Sequence, residues 1–334
     1  MSDELVLAID GGNSKTDVVV VDALGRVRAH VRGPGSSPHH LSVDGTVELL
    51  DELVLKAAAQ AGLSSGHPVA ALGEVYLAGV DFASEQEAVA AAVRNRAWAP
   101  EVVVDNDTYA LLRAGTDAAD AVAVVCGAGI NCVGVAADGR HVRFASLGRL
   151  SGDWGGGGEL GEEALWWAAR ATDGRGPETI LSTLVPAHFG LPDVPAVYES
   201  IHFGHLEHRR LIELAPTVLA ASRDGDRVAR DIVCTLAEEV VTMARAALVR
   251  LDMTEAATVV VLGGGVLTSR DPVLLAEIDT RLTAAAPHAR SVVTEVSPVV
   301  GAALLGLDRM GASAAAKQTL RTHLPLTSKG TPSD

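Results

Sequence analysis

The segment Asp10-Gly11-Gly12-Asn13-Ser14-Lys15-Thr16 sets a carboxylate at the end of an apolar run, followed by two glycines, an amide, a hydroxyl, a lysine and a second hydroxyl. Such a turn lets backbone N–H groups approach a phosphate, with Lys15 and the hydroxyls assisting, while Asp10 orients a hydrated magnesium ion. It is not a P-loop, because the Gly-x4-Gly-Lys-Ser/Thr spacing is absent. Nor is it a dinucleotide turn opening a helix, because a second apolar strand follows. A tight hairpin explains one such turn equally well. Two further glycine turns, Gly127-Ala128-Gly129 and Gly263-Gly264-Gly265, also follow apolar runs. Three glycine-rich strand ends converging on one cleft would hold the tail, phosphates and base of a nucleotide.

The elements that position these turns are legible as apolar runs. Residues 5–9 and 18–21 read as two strands joined by the first turn, closing at Asp22-Ala23-Leu24-Gly25-Arg26. The same phrase returns as residues 122–125, the turn 126–131, residues 133–135 and the closing Asp138-Gly139-Arg140. Each copy continues into a third extended stretch, 27–31 and 142–145, with helix and strand to follow. Two similar α/β domains facing each other are the economical reading. Helical spacing marks 43–61 and 85–96, and strands are expected at 75–79 and 102–105. After the second copy come helices at 160–171 and 231–251, a strand at 258–262, a late strand at 291–296 and a helix at 301–311. The expected domains are therefore 1–117 and 118–311, with 312–334 a polar, flexible tail.

Composition narrows the function classes. A hydrophobic fraction of 48% over 334 residues supplies real cores, which excludes a disordered polymer. The formal net charge of −15 disfavours a protein that neutralises nucleic-acid phosphates. Three scattered cysteines, Cys126, Cys132 and Cys234, are too few for a disulfide framework, a four-cysteine zinc site or an iron–sulfur cluster. No apolar run approaches the length of a membrane span, and the acidic first residues do not read as a targeting segment. The expectation is a soluble cytoplasmic protein without nucleic-acid or membrane partners.

The order of four motifs is similar to that of the actin/hexokinase/Hsp70 superfamily: residues 7–16, then Asp105-Asn106-Asp107-Thr108, then Cys126-Gly127-Ala128-Gly129-Ile130-Asn131-Cys132, then Leu262-Gly263-Gly264-Gly265-Val266. Within it the chain resembles the BadF/BadG/BcrA/BcrD-type ATPases over about residues 5 to 310. The resemblance implies an α/β fold of two RNase-H-like, actin-like ATPase domains with a central cleft, closing over MgATP and a sugar. It implies ATP and Mg2+ as cofactors, with Gly11, Gly12, Asn13, Lys15, Thr16 and the two later glycine turns on the nucleotide and Asp10 on the metal.

On the sugar side, the resemblance gives Asp107 the role of taking the proton from the attacking hydroxyl. Read from sequence alone, Asp107 is also a candidate helix N-cap. Asp105 competes for the catalytic role, but Asn106-Asp107 before a small residue matches the family phrase. Asn106 and Asn131 are carried over as sugar contacts. Ser37 stands where many relatives have an asparagine-containing loop. The run 151–163, Ser-Gly-Asp-Trp-Gly-Gly-Gly-Gly-Glu-Leu-Gly-Glu-Glu, resembles the sugar-binding loop, with Glu159-Leu160 where Asp-Glu is usual and Glu162 in place of a serine. Either Glu159 or Asp153 reads the sugar hydroxyls, and Trp154 either flanks the ring or packs. Trp166 and Trp167 are read as core or interface. His39-His40 reads as a solvated turn rather than a metal site. His202, His205 and His208 recur every three residues, as on one helix side, and read as a surface or oligomer face, so a homodimer stands among the expected partners.

The expected activity is ATP-dependent phosphorylation of an amino-sugar hydroxyl, foremost O6 of N-acetylglucosamine, with glucosamine or another hexosamine as the alternative. A dehydratase-activating ATPase would need paired cluster cysteines. A sugar-sensing regulator would need a DNA-binding domain where nine residues precede Asp10, and the zinc-binding cysteine cluster of that group. A nucleotide-binding structural module would lack the sugar loop.

Overall fold

In the computed structural model, which describes residues 5–63 and 68–324, strand β1 (Leu5–Gly11) is buried along its whole length. Its residues alternate between two cores: Leu5, Leu7 and Ile9 point into one, Val6 and Ala8 into the other. A strand covered on both faces needs this unbroken apolar run, whereas a half-solvated strand alternates with polar residues. The chain divides into two compact units, residues up to Asp117 with those from Thr294 onward, and Ala118–Val293.

In the first unit, β1 pairs antiparallel with β2 (Lys15–Asp22), which pairs antiparallel with β3 (Val27–Pro34). On its other side β1 runs parallel to β4 (Leu72–Leu77), itself parallel to β5 (Glu101–Asn106), so the sheet order is β3-β2-β1-β4-β5. Helices α1 (Pro38–Gln60, kinked at Ser42) and α2 (Ala83–Arg94) cover one face. The other face receives α3 (Asp107–Gly115) and, much later in the chain, α11 (Pro298–Arg309) and α12 (Ala314–His323). Within this second core the fully buried Glu74 of β4 accepts a hydrogen bond from Tyr76 Oη at 2.9 Å. Arg309 Nε lies 3.0 Å from Glu74 Oε1 but off the line of its N–H, so that oxygen accepts no hydrogen bond.

The second unit repeats the topology. Strands β6 (Ala121–Cys126), β7 (Ile130–Val135) and β8 (His141–Arg143) form an antiparallel meander, and β9 (Val259–Gly263) and β10 (Arg290–Val293) run parallel to β6. The order β8-β7-β6-β9-β10 matches the first sheet strand for strand. Between β8 and β9 the chain inserts α4 (Gly157–Thr172), α5 (Leu181–His188), α6 (Val194–His202), α7 (Ala215–Arg223) and α8 (Arg227–Arg250). A short α9 (Gly265–Thr268) and α10 (Pro272–Ala285) link β9 to β10. Helix α8 carries the apolar stripe of this core, with Ile232, Leu236, Val240, Ala244 and Leu248 buried at helical spacing.

Two expectations need correction. Residues 294–311 were expected in the C-terminal domain, yet α11 packs on β1, β4 and α3 of the first unit. Its apolar side (Val299, Val300, Ala303, Leu304, Leu307) covers the second face of the first sheet. The segment from 312 was expected to be a flexible tail. Residues 314–323 instead form a helix capped by Ser313, with Leu320 fully buried and Arg321 Nη1 donating to Ala114 O at 2.9 Å. The remainder of the expected tail, 325–334, lies outside the described residues. Among the described residues no helix is long and apolar enough to cross a membrane.

Candidate functional site

In the first unit the residues with chemistry gather just past the carboxyl ends of the neighbouring parallel strands. Asp10 is near the end of β1, Asp81 follows β4, and Asn106-Asp107 joins β5 to α3. Open parallel sheets bind ligands at this edge. Asp81 was missed in the sequence; its position after an apolar run, as with Asp10, and beside a glycine, Gly79, was the available signal.

Asp10 faces Asp17 across the β1–β2 register and is 8% exposed. Burial, then the charges of Asp107 and Asp17, push its carboxyl up to about 8 against the opposing pull of Lys15 and Arg32. Asp17 goes the other way. Burial pushes it up, but hydrogen bonds from His30 (2.8 Å) and Arg32 (2.9 and 3.1 Å) outweigh this and hold it below the usual carboxylate range. Two facing carboxylates are thereby split: His30 and Arg32 hold Asp17 ionised, while burial and neighbouring acids favour the protonated form of Asp10.

The turn after β1 is closed by Gly12 N–H donating to Lys15 O at 2.8 Å, which leaves Asn13 and Ser14 exposed and the Lys15 side chain 3.8 Å from Asp17. Thr16 does not face solvent with them. It is fully buried, its hydroxyl 2.7 Å from Pro34 O and 2.8 Å from Ser36 Oγ, so it braces the loop that leads to Ser37. Ser37 is 2% exposed and its hydroxyl has no hydrogen-bond partner.

Asp107 is not the N-cap of α3. Asn106 takes that role: its Oδ1 accepts from Thr108 N at 3.0 Å and Thr108 Oγ1 at 2.6 Å, while its Nδ2 donates to Asp81 Oδ1 at 2.9 Å. Asp107 stands at the first helical position and is half-buried as a residue. Burial and the charge of Asp81 raise it to about 7, while the N–H groups of Asp107 and Thr108 oppose the rise. A carboxyl poised near neutrality is suited to accept a proton. Asp105 is turned back on the chain, accepting from Asn106 N at 2.8 Å.

In the second unit the parallel pairing Val125↔Gly263 brings the other two glycine turns side by side. Gly264 has φ +84°, and a Cβ there would lie 2.4 Å from Cys126 O, so only glycine allows the two turns to touch. Ala128, Gly129 and Gly265 remain exposed. The glycine-rich loop docks on this edge, with Gly157 N donating to Gly127 O at 2.8 Å and Gly158 N to Ala128 O at 2.9 Å. Asp153 is 7% exposed and closes the loop internally, accepting from Gly148 N at 2.8 Å and from the Ser151 hydroxyl. Glu159, in the first turn of α4, is partly exposed. Burial first, then Glu162 and Asp153, raise its carboxyl against Arg149 and its own backbone N–H. Asn131 Oδ1 accepts from Cys132 N at 2.7 Å. Trp154 packs partly buried against the core of this unit, as does Trp167, whereas Trp166 is exposed beneath Arg170. His202, His205 and His208 do not share a helix: α6 ends at His202, and a separate 3-10 turn begins at His208.

The fold recurs in known proteins. A solved structure from Chromobacterium violaceum, provisionally called an N-acetylglucosamine kinase, superposes with a TM-score of 0.73 at 24% identity, covering 91% of this chain and 99% of that one. A ROK family glucokinase from Streptomyces griseus, solved with glucose and AMPPNP, matches at a TM-score of 0.55 and 20% identity over 90% and 98% of the two chains. The expected fold class is borne out: two actin-like α/β domains, each with a five-stranded sheet. Among curated proteins, the N-acetylmuramic acid/N-acetylglucosamine kinase of Clostridium acetobutylicum is 26% identical over 265 residues, 79% of this chain and 86% of that protein. The N-acetyl-D-glucosamine kinase of Dictyostelium discoideum is 24% identical over 324 residues, 92% and 99% of the two. With matching residues at 7–306, the chain belongs to the BadF/BadG/BcrA/BcrD ATPase family.

Proposed function

We propose that this protein is an ATP-dependent amino-sugar kinase that transfers the γ-phosphoryl group to O6 of N-acetyl-D-glucosamine. The observation that carries the reading is Asp107: Asn106 caps α3 in its place, and its carboxyl is raised to about 7 where it can meet a ligand. Its role is to orient the acceptor hydroxyl and take its proton. Phosphoryl transfer otherwise rests on positioning and charge neutralisation. Asn106 and Asn131 are assigned to sugar hydroxyls or the acetamido group. Of the two candidate readers in the glycine-rich loop, Glu159 is preferred, because both oxygens of Asp153 already hold the loop together.

The nucleotide phosphates are assigned to the turn Gly11, Gly12, Asn13, Lys15 and to the glycine turns Gly127, Ala128, Gly129 and Gly263, Gly264, Gly265, of which Ala128, Gly129 and Gly265 are exposed. Magnesium fits Asp10: a buried carboxyl raised by burial and two neighbouring acids is one that a divalent cation would return to its charged form. Bound there, the ion would supply charge neutralisation on the phosphates. Activity in the cytoplasm, where ATP is available, belongs to the same proposal.

The curated relatives named as N-acetylglucosamine kinases support this choice of sugar, and the Clostridium protein's name adds N-acetylmuramic acid as an acceptor to test. The test is an ADP-release assay on purified protein across N-acetylglucosamine, N-acetylmuramic acid, glucosamine, N-acetylmannosamine and glucose. N-acetylglucosamine is expected to have the highest kcat/KM. ADP release independent of any sugar would overturn the kinase reading. Preference for glucosamine would retain the kinase but replace the acceptor.

A further inference from the structure

Three side chains from three separate segments meet at the rim of the first unit. His39 lies in the first turn of α1, Asp81 in the link after β4, and Glu85 in the first turn of α2. One nitrogen or oxygen from each lies within 4.8 Å of the others, and among the described residues this is the one such group of three or more. His39 Nε2 and Glu85 Oε1 are 3.0 Å apart. Ligands of a tetrahedral zinc ion, at about 2.0–2.2 Å from the metal, stand roughly 3.3 Å from one another, so shifts of about 1–2 Å would bring the three atoms to coordination distance.

Each candidate ligand is already oriented. Glu85 Oε2 accepts the N–H groups of Asp81 and Phe82, both at 2.9 Å, which leaves Oε1 turned to His39. Asp81 Oδ1 is held by Asn106 Nδ2. The His39 ring lies against Gly79, where a Cβ would come within 3.2 Å of Cγ and Nδ1 and within 2.7 Å of Ser37 Oγ. That Ser37 hydroxyl, 2% exposed and beside the imidazole, is the buried polar group without a partner noted above. Outer hydrogen bonds like those to Glu85 and Asp81 are what fix carboxylate direction in metal sites.

We infer that His39, Asp81 and Glu85 form a divalent metal site, distinct from the magnesium position assigned to Asp10, that takes a zinc-like transition ion. The imidazole ligand selects this class, because magnesium and calcium prefer sites made of oxygen alone. The ion ties the start of α1 to the start of α2. Through Asp81 it reaches Asn106, the cap of the helix that presents Asp107. The inference stands on this geometry and does not depend on the sugar-kinase reading.

Calorimetric titration of the metal-stripped full-length chain with zinc chloride tests it. One zinc per chain is expected at this site, undisplaced by millimolar magnesium, and the ion should raise the thermal midpoint. His39→Ala removes an exposed ligand and Glu85→Gln keeps the helix cap, so both should fold and each should weaken zinc binding by at least about tenfold. A His202→Ala/His205→Ala variant should bind as the parent does. No saturable zinc binding would overturn the site. So would an affinity unchanged in His39→Ala, or one lost only in the His202/His205 variant.

Discussion

Asp107 and Asp105 are two residues apart on the same strand-to-helix junction, and their hydrogen bonding separates their roles. Asp105 accepts from Asn106 N, whereas the Asp107 carboxyl meets only backbone N–H groups and the charge of Asp81, the difference on which its proposed catalytic role rests. Asp107→Asn keeps size and one acceptor oxygen but cannot take a proton, so kcat should fall about 10²- to 10⁴-fold with near-normal dissociation constants for both ligands. Asp105→Asn should be the milder change. Stopped-time assays with parallel calorimetry decide it, and an Asp107→Asn enzyme turning over at the parent rate would make Asp107 a structural residue. Asp10→Ala should keep the fold and lose magnesium-dependent turnover, read as activity against magnesium concentration. Unchanged activity at limiting magnesium would remove Asp10 from the metal. Glu74 gives a pH signature of stability. Burial, opposed by Tyr76 and Arg309, raises it from 4.5 to about 7. A carboxyl raised on folding contributes stability that is fully present below the unfolded value and is lost as pH climbs through the folded one. Urea midpoints of the parent should therefore fall between pH 5 and 8 relative to those of Glu74→Gln, by an amount on the order of 3 kcal/mol at most. Parallel profiles would show that Glu74 is ionised in the folded protein.

Much of the element scale is legible in the sequence. The repeated phrase of apolar run, glycine turn, apolar run forecast two sheets of one topology, and both meanders and the four parallel strands beside them appear in that order. What periodicity does not encode is the partner of a helix. The stripe on α11 announces a buried face but not which sheet it buries, so residues 294–311 were assigned by chain order to the wrong unit. The site was legible to the same degree. Asp10 and Asp107 stand out because glycines or a strand-to-helix switch flank them, while Asp17, Asp81 and Glu85 each meet a side chain 13 to 46 residues away that the sequence does not announce. Helix α11 also supplies a sharp packing test. A Cβ on Gly301 would lie 1.8 Å from Ala110 O of α3. Alanine gains about 1 kcal/mol of helix propensity over glycine, but forcing two backbones apart costs about 1–3 kcal/mol or more. Gly301→Ala should therefore lower the urea midpoint; an unchanged or raised midpoint would mean that α11 does not rest on α3.

At the scale of the whole molecule, the first unit is made from both ends of the chain. A fragment of residues 1–117 would leave Val6, Ala8, Val19 and Val21 without the cover of α11, and it should aggregate or unfold without cooperativity. Joining residues 294–324 ahead of residue 5 through a flexible linker should restore a soluble, cooperative unit, read by circular dichroism on heating. Equal behaviour of the two would contradict the packing of α11. Two repeated sheets bearing glycine turns, and one poised carboxyl at the start of a helix, are together the parts of a phosphoryl-transfer enzyme acting on a sugar. Phosphorus NMR of the protein with ATP, magnesium and N-acetylglucosamine tests this most directly. The account predicts ADP together with a new phosphomonoester coupled to the C6 protons of the sugar. Inorganic phosphate with unmodified sugar would contradict it.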